Sequence, residues 1–387
     1  MKRRILFVDD EDSVLDALEA LLRKDRDRWE MVFVMDGAQA LQELRKAPFD
    51  LVISDMRMPG MDGAELLAHV KKENPSAARM ILSGQATRES VIRSIPVAQQ
   101  FLAKPCNAAA LRKIIDRTLA LRSLLESDAL RAIAGKLGTL PSAPHTYTLL
   151  TEAAARPETT MADLAAVVQR DPAMSARVLQ LVNSAFFGVS QPVTSVTKAV
   201  TLLGVEVIKG LALVSGIFAA PGPQAIDGFS FQEVADNSFL AARLAKEFLR
   251  NSSLSDEAFT AALLRDVGEL VFALGIPVEL AQAIREAKAS GRSLHAVETE
   301  LLGVSHAEAG AYLLGLWGLP YSIVEAVAFH HKPGSVGEGP HETLAAVHAA
   351  DALAGDEANL DLQFLAATGF SEKLAQWREI AAHTLAH

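Results

Sequence analysis

The 387-residue chain contains one cysteine, Cys106. No internal disulfide can form, and the composition suits a reducing compartment, so a cytoplasmic location is expected. Long apolar runs are missing too. The uncharged stretch Gly210 to Ile226 is broken by Pro221-Gly222-Pro223 and falls short of the roughly 20 residues a membrane helix needs. The basic start Met1-Lys2-Arg3-Arg4 leads into an apolar run, Ile5 to Val8, that stops at Asp9-Asp10, so no targeting segment is expected there. Cations are scarce in the larger part of the chain. Of the 37 Lys and Arg, 20 lie in residues 1–125 and 17 beyond, whereas the 47 Asp and Glu divide 18 and 29. An acidic part of this kind repels a phosphate backbone, which argues against direct DNA binding.

What is present is ordinary globular usage: half the residues are hydrophobic and 22% are charged. At about 100 to 200 residues per domain the length allows two or three packed cores. Up to about Leu125, short apolar runs (Ile5–Val8, Met31–Val34, Leu51–Ser54, Met80–Leu82, Phe101-Leu102) alternate with amphipathic stretches, including one near Glu89 to Ile95 and a last one from about Ala108. Runs of this kind read as strands buried on both faces, and the alternation predicts a five-stranded parallel sheet in an α/β domain. After Leu125 the strand signal stops and apolar residues recur at helical spacing, as in Met161, Leu164, Ala165 and Val168. Asp171-Pro172 is a helix start: a carboxylate cap, then a proline whose missing N–H the first turn does not need. The predicted organisation is an α/β domain over 1–125 and an all-α region over 126–387, with a lobe break at 221–230.

In an open parallel sheet, ligands bind beyond the carboxyl ends of the strands. Asp9-Asp10 follows the first strand, Asp55 ends the third, Ser83 ends the fourth and Lys104-Pro105 follows the fifth. Clustered carboxylates repel one another unless a cation neutralises them, and hard oxygen donors with room for water favour Mg²⁺. A lysine and a hydroxyl opposite them suit a phosphoryl group on one carboxylate. Together with Val8-Asp9-Asp10-Glu11, the run Asp55-Met56-Arg57-Met58-Pro59-Gly60-Met61-Asp62-Gly63, Leu82-Ser83-Gly84 and Phe101-Leu102-Ala103-Lys104-Pro105, this region resembles a two-component receiver domain, flavodoxin-like in fold. The resemblance implies phosphorylation of Asp55 by a histidine kinase. It also implies Mg²⁺ held by Asp10, Asp55 and the backbone carbonyl of Arg57, with Asp9 assisting through water. Lys104 would pair with a phosphoryl oxygen, and Ser83 would hydrogen-bond to it as Phe101 turns inward.

The helical part carries Asp171-Pro172-Ala173-Met174-Ser175-Ala176-Arg177-Val178-Leu179, then Val182-Asn183-Ser184-Ala185-Phe186-Phe187-Gly188 and Ala199-Val200-Thr201-Leu202-Leu203-Gly204. These segments resemble the HDOD domain, an all-helical relative of HD-type metal phosphohydrolases that include cyclic-di-GMP phosphodiesterases. Those relatives build their metal centre from an early His, a His-Asp pair, a later His, a His-His stretch and a last Asp. Here the early position is Asn237 and the His of the pair is Arg265; Asp266, His306, His330, His331 and Asp351 remain. A guanidinium has no lone pair to give and repels a dication, while its planar fork fits carboxylates such as Asp266 or Asp351. The expectation is a response regulator with a non-catalytic output that binds a downstream signalling protein. No cofactor is expected in the helical part, and no membrane. The alternatives are a receiver-regulated phosphohydrolase or cyclic-di-GMP phosphodiesterase, and a non-catalytic nucleotide sensor. Leu111, Ile114, Thr118, Leu121 and Leu125 form a seam that fits either a homodimer-forming coiled coil or the face packed on the sheet.

Overall fold

The structure, a computed structural model, describes residues 2–84, 94, 96–121, 128–137, 140, 144–156, 158–184, 187, 189, 191–205, 207, 208, 211, 226–337, 339 and 341–386. The expected helix near Glu89 to Ile95, the seam residue Leu125 and the first half of the proposed lobe break, 221–225, lie outside the described residues. The chain divides into two compact units. The first is Met1–Thr139 with Asn183–Ser190 and Gly315–Gly318; the second is Leu140–Val182, Gln191–Leu314 and Leu319–His387.

In the first unit the strands are β1 (Arg3–Val8), β2 (Trp29–Val34), β3 (Leu51–Asp55), β4 (Ala78–Ser83) and β5 (Gln100–Ala103). They form one parallel sheet of order β2-β1-β3-β4-β5. Helices α1 (Asp12–Leu22), α2 (Gly37–Lys46), α3 (Gly63–Glu73), α4 (Ala108–Ala120) and α5 (Asp128–Lys136) accompany it. Ile5, Leu6, Phe7, Leu51, Val52 and Ile81 are wholly buried, as expected of central strands covered on both faces. The register pairs Val8 with Ser54, Asp55 with Leu82, and Ser83 with Ala103, which brings the ends of β1, β3, β4 and β5 to one edge.

On α4 the buried residues are Leu111, Ile115, Thr118 and Leu119, and Leu121 follows; Ile114 is only half-buried. The expected seam is therefore rotated by one residue at its second position. The inner stripe follows the sheet it packs on rather than a strict repeat. Helix α5 belongs to the same unit. Arg79, fully buried at the start of β4, donates from Nη2 to the Gly135 carbonyl on α5 at 2.6 Å, and from its other nitrogens to Ala77 and Val97 carbonyls. A Cβ on Gly135 would lie 1.8 Å from the Pro75 carbonyl oxygen, so α5 rests directly on backbone there.

The second unit is helical among the described residues: α6 (Pro144–Ala155), α7 (Met161–Val168), α8 (Pro172–Val182), α9 (Val196–Leu203), α10 (Phe231–Phe248), α11 (Ser255–Leu264), α12 (Val267–Gly275), α13 (Pro277–Ser290), α14 (Leu294–Leu302), α15 (His306–Leu316), α16 (Tyr321–Phe329), α17 (Glu342–Ala354), α18 (Leu362–Ala367) and α19 (Leu374–Leu385). Asp171 caps α8 as expected, accepting from the Met174 N–H at 2.9 Å. The core centres on α10, α11, α16 and α17, and α19 is anchored by Trp377 stacked on Phe248, with ring centroids 4.9 Å apart. No helix among the described residues is long and apolar enough to cross a membrane.

Gly63 has one structural reason to be glycine. A Cβ there would sit 2.0 Å from the Asp55 carbonyl oxygen, and α3 starts at this point with a reciprocal cap between Asp62 and Glu65. Gly63→Ala should push the start of α3 off the end of β3 at a cost of about 1–3 kcal/mol. Hydrogen exchange of the β1 and β3 amides should accelerate by about one to two orders of magnitude; unchanged exchange would contradict this account.

Candidate functional site

At the carboxyl edge of the sheet, Asp9 and Asp55 are buried, Asp10 is exposed at the mouth and Lys104 lies between the two buried acids. Its Nζ is 2.5 Å from Asp9 Oδ2 and 2.6 Å from Asp55 Oδ1. Burial, the largest influence on each, raises the Asp9 carboxyl and would lower Lys104. For Lys104 the hydrogen bonds to Asp55 and Asp9 outweigh burial and hold the ammonium above its ordinary value. Asp55 is aimed by its own loop, its Oδ2 accepting from the Arg57 backbone N–H. Ser83 stands half-buried at the end of β4, its carbonyl accepting from the Lys104 N–H at 2.9 Å, and Phe101 is turned inward at 5% exposure. Three carboxylates against one ammonium leave negative charge for a dication, and all the donors are hard oxygens. The set fits Mg²⁺.

A second convergence lies in the second unit, built from helix ends. Arg265 and Asp266 sit at the junction of α11 and α12, His306 opens α15, His330 and His331 follow α16, and Asp351 is on α17. Gly268 allows the closest of these approaches, since a Cβ there would meet the His306 carbonyl oxygen at 1.8 Å. Arg265, 4% exposed, pairs with both acids: Nη2 lies 2.9 Å from Asp266 Oδ2, and Nε donates to Asp351 Oδ1 at 2.7 Å. Asn237 borders this cluster through a shared cavity. It is exposed on α10 and lines a cavity of about 270 Å³ with Arg265, Asp266, Glu269 and Lys288. Neither 237 nor 265 supplies an imidazole, so the residues do not fit the metal centre of the HD hydrolases.

Three participants carry no motif in the sequence. Glu298 on α14 is wholly buried and its Oε2 accepts from His306 twice, from the backbone N–H at 2.9 Å and from Nδ1 at 2.6 Å. His295 stacks on His331 with ring centroids 4.2 Å apart, and Glu269 on α12 faces His306 electrostatically. The one available signal was an acid just ahead of the turn that His306 ends. Burial pushes the Glu269 carboxyl up to about 8. Burial opposes charge on His306, but Glu298, helped by Glu269 and Asp266, holds it up to about 10. Burial and neighbouring cations lower His331, and lower His295 to about 4. Despite burial, Arg265 with His330 and His306 holds the Asp266 carboxyl well below the usual range.

The response regulator receiver domain family matches residues 5–116 and the HDOD domain family matches residues 140–333. A receiver domain followed by an HDOD domain is the architecture of a response regulator with an HDOD output. The second match extends over half the sequence, and the chain belongs to the HDOD family. It is 24% identical over 296 residues to an uncharacterized protein of Treponema pallidum (strain Nichols), covering 74% of this chain and 55% of that protein. Over 153 residues it is 31% identical to the transcriptional regulatory protein ZraR of Escherichia coli O157:H7, covering 39% of this chain and 34% of ZraR. The chain thus spans about half or less of the length of these relatives. The crystal structure of the MmoQ response regulator from Methylococcus capsulatus str. Bath aligns with a TM-score of 0.51 at 26% identity, covering 62% of this chain and 98% of that one.

Two outcomes follow from the second cluster. Arg265→Met should destabilise the second unit by about 3–5 kcal/mol, because it leaves Asp266 and Asp351 without their cation; an unchanged melting temperature would contradict this. Raised folded-state values for His306 and Glu269 mean that the folded chain holds protons the unfolded chain releases. The stability they confer is present at low pH and lost as pH rises, from 4.5 to about 8 for Glu269 and from 6.5 to about 10 for His306. Thermal melts of chelator-treated protein, followed by helical circular dichroism, should therefore fall between pH 6.5 and 10, with a shallower fall in Glu298→Gln.

Proposed function

We propose that this chain is a phosphorylation-controlled response regulator in which Asp55 takes a phosphoryl group from a histidine kinase and the HDOD half acts as a non-catalytic, partner-binding output. The observation that carries the first part is Lys104 held between Asp9 and Asp55, with Asp10 at the mouth. Asp10, Asp55 and the Arg57 carbonyl would hold Mg²⁺, with Asp9 behind a water, and the bound ion would neutralise charge building on the phosphoryl oxygens. A carboxylate oxygen of Asp55 attacks phosphorus, the phosphorus–nitrogen bond of the kinase phosphohistidine breaks, and an acyl phosphate forms while the imidazole departs. Positioning and charge neutralisation supply most of such a transfer. Lys104 Nζ, released from Asp55 Oδ1, pairs with a phosphoryl oxygen; Ser83 donates its hydroxyl to another, and Phe101 remains inward.

The non-catalytic reading of the output rests on Arg265. Its guanidinium occupies the place between Asp266 and Asp351 that a hydrolytic metal would need, and Asn237 is exposed. A phosphohydrolase or cyclic-di-GMP phosphodiesterase would need open metal positions for an activated water. The acidic charge of residues 126–387 favours a protein partner over nucleic acid. A cytoplasmic setting completes the reading.

Incubation with acetyl phosphate and Mg²⁺ should add one phosphoryl group by intact mass. It should be absent in Asp55→Ala and strongly reduced in Asp10→Ala. Persistence in Asp55→Ala refutes the assignment. Turnover of cyclic or linear dinucleotides that disappears in Asp266→Ala would overturn the non-catalytic output.

A further inference from the structure

The cavity of about 270 Å³ beside Arg265 is built entirely within the second unit. Three helix faces meet around it. Glu233 and Asn237 stand one turn apart on α10, Ile284, Ala287 and Lys288 share one face of α13, and Glu269 lies on α12. Gly228, at a φ of 79°, brings the chain that enters α10 against α13: a Cβ there would lie 2.9 Å from Ile284 Cγ2 and 3.0 Å from Lys288 Nζ.

The lining divides by chemistry. Ile284 and Ala287 are buried and Leu294 of α14 is half-buried, so one wall is apolar. Glu233, Asn237 and Lys288 are exposed, whereas Glu269 is half-buried and lies deeper, beside Asp266. Among the described residues, none of the side chains of Glu233, Asn237, Glu269 and Lys288 has a hydrogen bond or ion pair. Groups of both signs and an amide thus border one cavity without satisfying one another.

Arg265 is committed to Asp266 and Asp351, which leaves Lys288 as the cation that the lining can offer to a ligand anion. Glu269 is the opposite case. Its carboxyl is withdrawn from water and pushed up to about 8 by burial, and an ammonium placed against it offsets the cost of ionising it. A phosphate ester is disfavoured, because Glu233, Asp266 and Glu269 all repel it. The volume suits a small metabolite and falls below that of pockets for drug-sized ligands. An acid, a base and an apolar wall complement a molecule with an ammonium, a carboxylate and an apolar tail.

We propose that this cavity binds a free α-amino acid with an apolar side chain. Lys288 Nζ and the Asn237 amide N–H take the ligand carboxylate, Glu269 takes the ammonium with Glu233 adding negative charge at the rim, and the tail lies on Ile284, Ala287 and Leu294. Contacts from three helices fix the handedness of the ligand. An occupied cavity also ties α10, α12 and α13 together, so binding stabilises the second unit. No metal takes part and no covalent bond changes. The site adds a small-molecule input to the partner-binding output and goes beyond that reading without depending on it.

The test uses the full chain, dialysed free of small molecules, with L-leucine, L-methionine and L-phenylalanine as probes in titration calorimetry and thermal melts. At least one should bind in a single-site isotherm and raise the melting temperature. The D-enantiomer of that probe, its carboxamide and its deaminated acid should each bind about tenfold more weakly or worse, since each loses a charge-assisted contact. Lys288→Met and Asn237→Leu, both at exposed positions, should weaken the L-amino acid by a similar factor. Lys288→Met should leave the carboxamide unchanged, because that probe has no carboxylate for Lys288 to hold. Failure of all three probes to bind, equal affinity for D and L forms, or unchanged affinity in both variants would overturn the proposal. Binding of cyclic-di-GMP that the same variants abolish would overturn it in favour of a nucleotide site. Asp55 phosphorylation by acetyl phosphate, read separately on the wild-type chain, is unaffected by any of these results, so failure here and failure of the response-regulator reading are distinguishable.

Discussion

Arg265, bound between Asp266 and Asp351, is the interaction on which the arrangement of the second unit depends. Each carboxylate taken from water costs several kcal/mol unless matched by a cation in good geometry. One guanidinium with contacts of 2.9 and 2.7 Å answers both acids and ties the α11–α12 junction to α17. The remaining carboxylate oxygen of Asp266 then faces the imidazoles of His306 and His330 at 3.6 and 3.5 Å. The same constraint organises the first unit on a smaller scale, where Lys104 stands between Asp9 and Asp55. There the cation is a single ammonium on a flexible stem.

The two sites differ in what can be exchanged. Lysine is a compact charge on a mobile stem, and the mouth beside Asp10 is exposed, so charge can enter and leave the receiver edge. Arginine holds its planar fork in place, and the residues around it are buried. A switch suits the first arrangement and a fixed scaffold the second. At position 265 the charge between Asp266 and Asp351 is a permanent one.

The receiver edge was legible in the sequence because strand ends follow directly from apolar runs. Once Ile5–Val8, Leu51–Ser54 and Phe101-Leu102 are assigned to one parallel sheet, Asp9, Asp55 and Lys104 must meet at its carboxyl edge. The helical site was legible only in part. Arg265 could be assigned to Asp266 or Asp351 from its chemistry, but pairing with both depends on where α17 crosses, and no periodicity states that. Glu298 was missed because an acid on a short helix ordinarily faces water, whereas here the His306 backbone and ring satisfy it in a fully buried place. Ile115 took the inner position expected of Ile114, because tertiary packing, not the helix repeat, decides which face is covered.

Strand β4 links two features of the first unit that the sequence kept apart. Ser83 stands at its carboxyl end beside Lys104, and Arg79 lies buried near its other end against Gly135 of α5. They stand four positions apart along the strand, about 13 Å. A helix held by a buried arginine has a definite resting position, since displacing it would bare the Gly135 carbonyl and break a charge-assisted bond worth about 1.5–3 kcal/mol. The neighbouring strand, β3, ends at Asp55 and is in register with β4 from Leu51–Ala78 to Asp55–Leu82. Packing within the receiver thus joins the strand beside Asp55 to a buried, charge-assisted contact at that strand's far end.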